Sequence, residues 1–139
     1  MEKEHKESYF NHDADIGVIG VGQEITDAFI SGAQAIFALM SDPEEIRQTH
    51  RVTFQFEESD VELAFVEWLN LLIAHARKNK LIFKSFELSR DHDCWQGVAM
   101  GEPWQEKFTR GTEVKGATLT ELSVKKIDNL WEARCVVDV

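Results

Sequence analysis

Cysteine is scarce in this chain. Cys94 and Cys135 are the only two in 139 residues, and they form no C-x-x-C pair. That excludes a zinc knuckle or a thioredoxin-type redox site, and a reduced pair is the expectation. Long apolar runs are missing too: none reaches the ~18 residues that a membrane span needs. The first seven residues, Met1-Glu2-Lys3-Glu4-His5-Lys6-Glu7, are polar after the methionine, and no apolar stretch of a secretory signal follows. A soluble, cytoplasmic protein with no membrane partner is therefore expected. Basic residues are in short supply, 15 against 25 acidic ones, for a formal charge of -10. Phosphate backbones repel such a chain, so strong direct binding of nucleic acid is not expected. The charge suits cations, or a partner with a basic surface. Gly111-Thr112-Glu113-Val114-Lys115-Gly116 lacks the spacing of a phosphate-binding loop. Trp95, Trp104 and Trp131 have no basic patch beside them, so they read as core or rim aromatics, not base-stacking platforms. There is no internal repeat and no low-complexity segment.

What is present fits one α+β domain over 9–139, preceded by a loose charged tail over 1–8. A chain of this length buries roughly 68–70% of its unfolded surface and needs no staples. Tyr9 and Phe10 start a short strand, and Ile16 to Val21 alternates as a half-buried one. The glycines among them allow a second backbone to approach, or mark a bulge. Glu24 to Met40 has the i, i+3, i+4, i+7 spacing of a helix, with Glu24 and Asp27 in its first turn and Pro43 beyond its end. After a polar linker over 44–51, Val52, Phe54 and Phe56 alternate as a strand. Ser59-Asp60-Val61-Glu62 has capping-box form, with Ser59 as N-cap of a second helix over about 60–78 and Asn79 as its left-handed cap. The rest reads as strands: Leu81 to Leu88, a turn at Asp91-His92-Asp93, then Trp95 to Met100, broken by Gly101-Glu102-Pro103-Trp104. A polar loop over 105–112 leads to a strand region from Glu113 to Lys125. Asp128-Asn129 makes a tight turn before a last strand, Trp131 to Asp138. Two helices packed on a mostly antiparallel sheet of about six or seven strands follow.

The chemistry gathers at the two ends of this layout. Phe10-Asn11-His12-Asp13-Ala14-Asp15-Ile16-Gly17 places its polar groups at the mouth of a strand. Asp138 and Val139, the latter with a terminal carboxylate, close the last strand. If the fold joins these ends, up to three carboxylates converge and repel, and a divalent cation removes the conflict. All-oxygen ligands select a hard ion, calcium or magnesium before zinc. His12 prefers softer metals and reads as a supporting residue. Taken singly, each acid reads most simply as a solvated surface residue, Asp13 as a surface acid or turn residue and Lys115 as a surface cation.

In order along the chain, His12-Asp13-Ala14-Asp15-Ile16-Gly17, Ala38-Leu39-Met40-Ser41-Asp42, Val66-Glu67-Trp68-Leu69-Asn70, Gly101-Glu102-Pro103, Gly111-Thr112-Glu113-Val114-Lys115, Trp131-Glu132-Ala133-Arg134 and Val137-Asp138-Val139 together resemble the archease family. The resemblance spans nearly all of 9–139. It implies a non-catalytic protein cofactor of the RtcB-type RNA ligase, which joins 2′,3′-cyclic phosphate or 3′-phosphate ends to 5′-hydroxyl ends. The cofactor speeds ligase guanylylation and supports multiple turnover in tRNA splicing and RNA repair. It also implies a calcium site at Asp15, Asp138 and Val139, and a functional lysine at Lys115, with His12 and Asp13 beside them. The family pattern has a threonine where Asp13 stands, and an aromatic or histidine-bearing segment where Gly116-Ala117-Thr118-Leu119-Thr120 follows Lys115. Two other classes stay open: a stand-alone metal-dependent phosphoesterase using His12, Asp13 and Asp15, and a general chaperone or interaction module.

Overall fold

The structure, a computed structural model, describes residues 7–139. The expected loose tail therefore lies mostly outside the described residues. Eight strands fall into two sheets. The five-stranded sheet holds β1 (Tyr9–His12), β2 (Asp15–Gly22), β8 (Leu130–Asp138), β6 (Gly116–Ala117) and β7 (Ser123–Ile127). Its order is β1-β2-β8-β6, with β7 also pairing β8. The three-stranded sheet has the order β3 (His50–Glu57), β5 (Cys94–Pro103), β4 (Leu81–Asp91). Every pairing is antiparallel. The two helices and the antiparallel pairing are as expected, but the strands divide between two sheets and β6 is only two residues long.

The first helix, α1 (Ile25–Met40), touches β2 and β8 of one sheet and β4 of the other, and so lies between the layers. Its apolar stripe is buried, including Ala28, Phe29, Ala33, Ile36 and Phe37. Gly20 allows this packing: a Cβ there would collide with the Ala28 carbonyl oxygen and the Gly32 nitrogen. At the α1 N-terminus the Asp27 carboxylate accepts from the Glu24 N–H at 3.1 Å.

The second helix, α2 (Val61–Asn79), differs from expectation at both ends. Its N-cap is Asp60, not Ser59. Asp60 Oδ1 accepts from the N–H groups of Glu62 (2.9 Å) and Leu63 (3.2 Å). A carboxylate caps at least as well as a hydroxyl and adds charge favourable to the helix dipole. Its left-handed cap is Lys80, at φ 55, not Asn79. Asn79 stays helical and its amide donates to the His75 carbonyl at 3.0 Å.

Two further boundaries move. β5 runs through Gly101 and Glu102 to Pro103, because these residues pair with Phe83, Ile82 and Leu81 of β4. A side chain at Gly101 would strike the Ile82 carbonyl, so the glycine closes this pairing instead of breaking it. The span from Glu113 to Lys125 is not one strand. It holds the short β6, then a loop with Glu121 at φ 55, then β7. The Asp128-Asn129 turn is as read, with both residues at positive φ, the signature of a type I′ hairpin.

Aromatic rings fill the centre. Phe29 stacks on Trp95 with centroids 5.0 Å apart, and Phe37 meets Phe83 and Phe86. Trp68 is fully buried and its Nε1–H donates to the Phe29 carbonyl at 3.1 Å. Trp95 belongs to this core, while Trp104 and Trp131 are partly buried at its rim. Phe108, inside the expected polar loop, is buried against Trp104. Cys94 and Cys135 are free, and burial pushes the Cys135 thiol up to about 12. Among the described residues no helix is long and apolar enough to cross a membrane.

One carboxylate in this frame is poorly served. Glu67 Oε2 on α2 is buried without a hydrogen-bond partner. Desolvation first, then the neighbouring Glu58 carboxylate, holds the Glu67 pKa above its usual value. A folded-state pKa above the unfolded one makes ionised Glu67 a stability loss that sets in as pH rises past the ordinary glutamate range and is complete above the raised folded-state value. Glu67→Gln should therefore raise the melting temperature at pH 7 by roughly one to two degrees. The gain should vanish below the ordinary glutamate range of about 4.3, where both states are protonated. Thermal melts of the two proteins at pH 7 and pH 3.5 check this, and an equal gain at both values would refute it.

Candidate functional site: the acidic end of the five-stranded sheet

The β1–β2 connection is a two-residue turn, Asp13-Ala14, with His12 paired to Asp15. Asp13 sits at φ 53. Aspartate accepts this left-handed conformation far more readily than a β-branched threonine does, which gives Asp13 a local structural reason. Its side chain is 92% exposed and lies 3.8 Å from His12 Nδ1.

On its other side β2 pairs with β8 in a register that runs from Gly22↔Trp131 to Ile16↔Val137. The same register carried one step beyond its last pair would set Asp15 opposite Asp138. Opposed residues of an antiparallel pair point to the same face, with Cβ atoms roughly 4.5–5.5 Å apart. That register makes Asp15 and Asp138 neighbours on one face, and His12 continues the row onto β1. The chain closes it: the Val139 N–H donates to Asp15 Oδ1 at 3.4 Å.

The third approach comes through residues 109–118. The Lys115 N–H donates to the Asp138 carbonyl at 2.8 Å, and Gly116 pairs with Asp138 in β6. Lys115 itself is exposed. The backbone thus places His12, Asp13, Asp15, Lys115, Asp138 and Val139, all singled out from sequence, at one end of one sheet.

A residue without a role in the sequence reading holds this arrangement together. Asn70 of α2 donates through Nδ2 to the Ala117 carbonyl at 3.1 Å and accepts from the Ala117 N–H through Oδ1 at 2.8 Å. Its amide thus acts as a strand partner for β6, which has β8 on its opposite side. The signal in sequence was one polar side chain on an otherwise apolar helix stretch, Trp68-Leu69-Asn70-Leu71-Leu72. Upstream, Thr109 bonds Glu45, and the N–H groups of Gly111 and Thr112 bond the Met40 and Leu39 carbonyls. The segment thereby satisfies carbonyls that the end of α1 leaves open.

The donor atoms at this end are of the kind a hard cation takes. Among the described residues neither Asp15 nor Asp138 is in an ion pair. The available ligand atoms are carboxylate and main-chain oxygens, the type that calcium and magnesium take. Among the described residues no three His, Cys, Asp or Glu side chains come close enough to hold a metal. Any ion here would be held by two carboxylates and the main chain at Val139, with the remaining positions left to other molecules.

A small antiparallel α+β domain with a row of acids at one sheet end is the class that fold and site define. The Archease protein family (MTH1598/TM1083) matches residues 8–139, and the chain belongs to it. It is 35% identical over 136 residues to protein archease of Sulfolobus acidocaldarius, covering 94% of this chain and 96% of that one. The Sulfurisphaera tokodaii protein archease is 27% identical, over 96% of this chain and 99% of its own. The solution structure of Methanobacterium thermoautotrophicum protein 1598 superposes with a TM-score of 0.86 at 26% identity, covering 95% and 97% of the two chains. A Thermotoga maritima archease, described as a "possible chaperone", shares the fold at TM-score 0.66 and 17% identity, over 99% and 100%.

Asn70→Ala should leave the fold intact but strand the Ala117 N–H and C=O, at a cost of about 1–3 kcal/mol. Hydrogen exchange at Lys115, Gly116 and Ala117 should rise while exchange in β2 stays slow. Unchanged protection at these three amides would show that Asn70 does not hold the segment.

Proposed function

We propose that this chain is a non-catalytic cofactor of an RtcB-type RNA ligase, promoting its guanylylation and multiple turnover in tRNA splicing or RNA repair. The reading rests on family membership together with one observation: the Val139–Asp15 and Lys115–Asp138 contacts draw two acids and a lysine to one exposed sheet end. A divalent cation, calcium first and magnesium next, is held there by Asp15, Asp138 and Val139. Once bound, such an ion supplies counter-charge for phosphates.

The shortage of ligands supports a shared role. Calcium takes 6–8 oxygens, and two carboxylates offer at most about four. The remaining positions suit water, phosphate oxygens or a partner's groups. A ligase site that holds RNA ends and nucleotide is basic, and a protein of charge -10 is steered toward it. Asp15 and Asp138 then meet the ligase across one edge, Lys115 provides a cation beside them, and His12 and Asp13 flank the contact. Bond-making stays with the ligase. For a stand-alone phosphoesterase, His12, Asp13 and Asp15 would need to form a ligand set of their own, and no such trio is present among the described residues.

Single-turnover guanylylation of the cognate ligase tests this. Asp15→Ala and Asp138→Ala should each lower stimulation by roughly 10–100-fold, the scale of losing a metal-site group. Calcium should raise the melting temperature of the wild type and of neither variant. Full stimulation by folded variants would sink the proposal. Phosphoester turnover by the chain alone, lost in Asp15→Ala, would favour the hydrolase.

A further inference from the structure

Away from the acidic end, a cleft of about 510 Å³ opens between the C-terminal ends of α1 and α2 and the segment 104–114. Its floor is apolar: Phe37, Ile73, Ala76 and Val114 are all buried core residues that line it. One wall is Trp104. That indole is held edge-on by Phe108 at 5.5 Å, and the Trp104 main-chain N–H donates to the Lys80 carbonyl at 2.9 Å. The same ring carries a buried Nε1–H with no hydrogen-bond partner. The opposite wall is fixed where Gly111 and Thr112 bond the end of α1 and where Arg77 donates to the Val114 carbonyl at 3.5 Å. The cleft is thus tied on three sides and preformed.

Its charge runs against that of the molecule. Arg77, Lys80 and Arg110 line it, against Glu106 and Glu113. Glu113 lies 3.7 Å from Arg77 and offsets it. Arg110 stacks over the Trp104 ring at 4.7 Å, and neither it nor Lys80 is in an ion pair among the described residues. On a chain of charge -10 this is a local excess of cations above an apolar floor.

We propose that this cleft binds an organic anion with a ring-sized apolar body. The ring lies over Phe37, Ile73 and Ala76 against Trp104, and the anionic group meets Lys80 and Arg110. The volume falls within the roughly 300–1,000 Å³ of small-molecule sites, and the lining has their composition, apolar with a few placed polar groups. A carboxylate, sulfonate or phosphate monoester fits alike, since all three present anionic oxygens to Lys80 and Arg110. This site is separate from the acidic end and does not depend on the ligase reading.

The test uses the full chain and two fluorescent probes with related naphthyl-phenylamine bodies. One is anilinonaphthalene sulfonate, which is anionic, and the other is N-phenyl-1-naphthylamine, which is neutral. Saturable binding of the anionic probe at one site per chain is expected, with weaker binding of the neutral one. In amide and indole NMR spectra the Trp104 indole resonance should shift, while those of Trp68, Trp95 and Trp131 stay in place. The double variant Lys80→Asn with Arg110→Gln should weaken the anionic probe roughly tenfold, as the loss of charge-assisted hydrogen bonds implies, and leave the neutral probe unchanged. Both substitutions are at exposed positions, and asparagine tolerates the left-handed backbone at 80. Ala76→Trp, which fills the floor, should abolish binding of both probes. Absence of saturable binding, equal affinity for the two probes, or an unmoved Trp104 indole would overturn the assignment. So would a double variant of native melting behaviour that binds the anionic probe as the wild type does.

Discussion

The pairing of β2 with β8 is the constraint on which the rest of the molecule depends. It joins a strand beginning at residue 15 to one ending at residue 138 and sits at the centre of the larger sheet. Its register is enforced from the core side. Val18, Ala133, Cys135 and Val137 are wholly buried, and Gly20 lies against the α1 backbone. A one-residue slip of either strand would turn its apolar set outward and its acid inward. Apolar burial therefore keeps the strand ends that carry Asp15 and Asp138 together.

The second constraint is how an irregular segment is held without regular structure. Residues 109–118 contribute only two strand residues, yet their backbone groups find partners at the end of α1, on Asn70 and on β8. Each contact satisfies a group that burial would otherwise penalise. The same segment walls the cleft beside Trp104 and pairs the Lys115 main chain with Asp138. The two features lie at opposite ends of one tethered stretch.

The electrostatics divide along the same line. At the sheet end, among the described residues, Asp15 and Asp138 are in no ion pair, and unpaired acids attract an external positive charge. At the cleft, cations outnumber acids. An acidic protein with one cationic recess presents two chemically distinct faces to its surroundings. Family membership bears on the first of these, and the second follows from geometry alone.

Periodicity was enough to read both helices, the β2, β3 and β8 strands and the Asp128-Asn129 turn, because each is a local pattern of apolar and turn residues. The position of residues 12–15 and 138–139 at strand ends drew attention to them, while Lys115 was marked only through the resemblance to the archease family. Local chemistry could not choose between neighbours that cap equally well, so Asp60 and Lys80 took places assigned to Ser59 and Asn79. Nor could it show that β5 passes through Gly101 to Pro103, since a glycine before a proline reads as a break until Ile82 is seen to need the space. The division into two sheets, the amide of Asn70 standing in for a strand, and the cleft at Trp104 were decided by tertiary structure alone. Each depends on groups dozens of residues apart meeting in space, and a pattern of neighbours along the chain carries no record of such meetings.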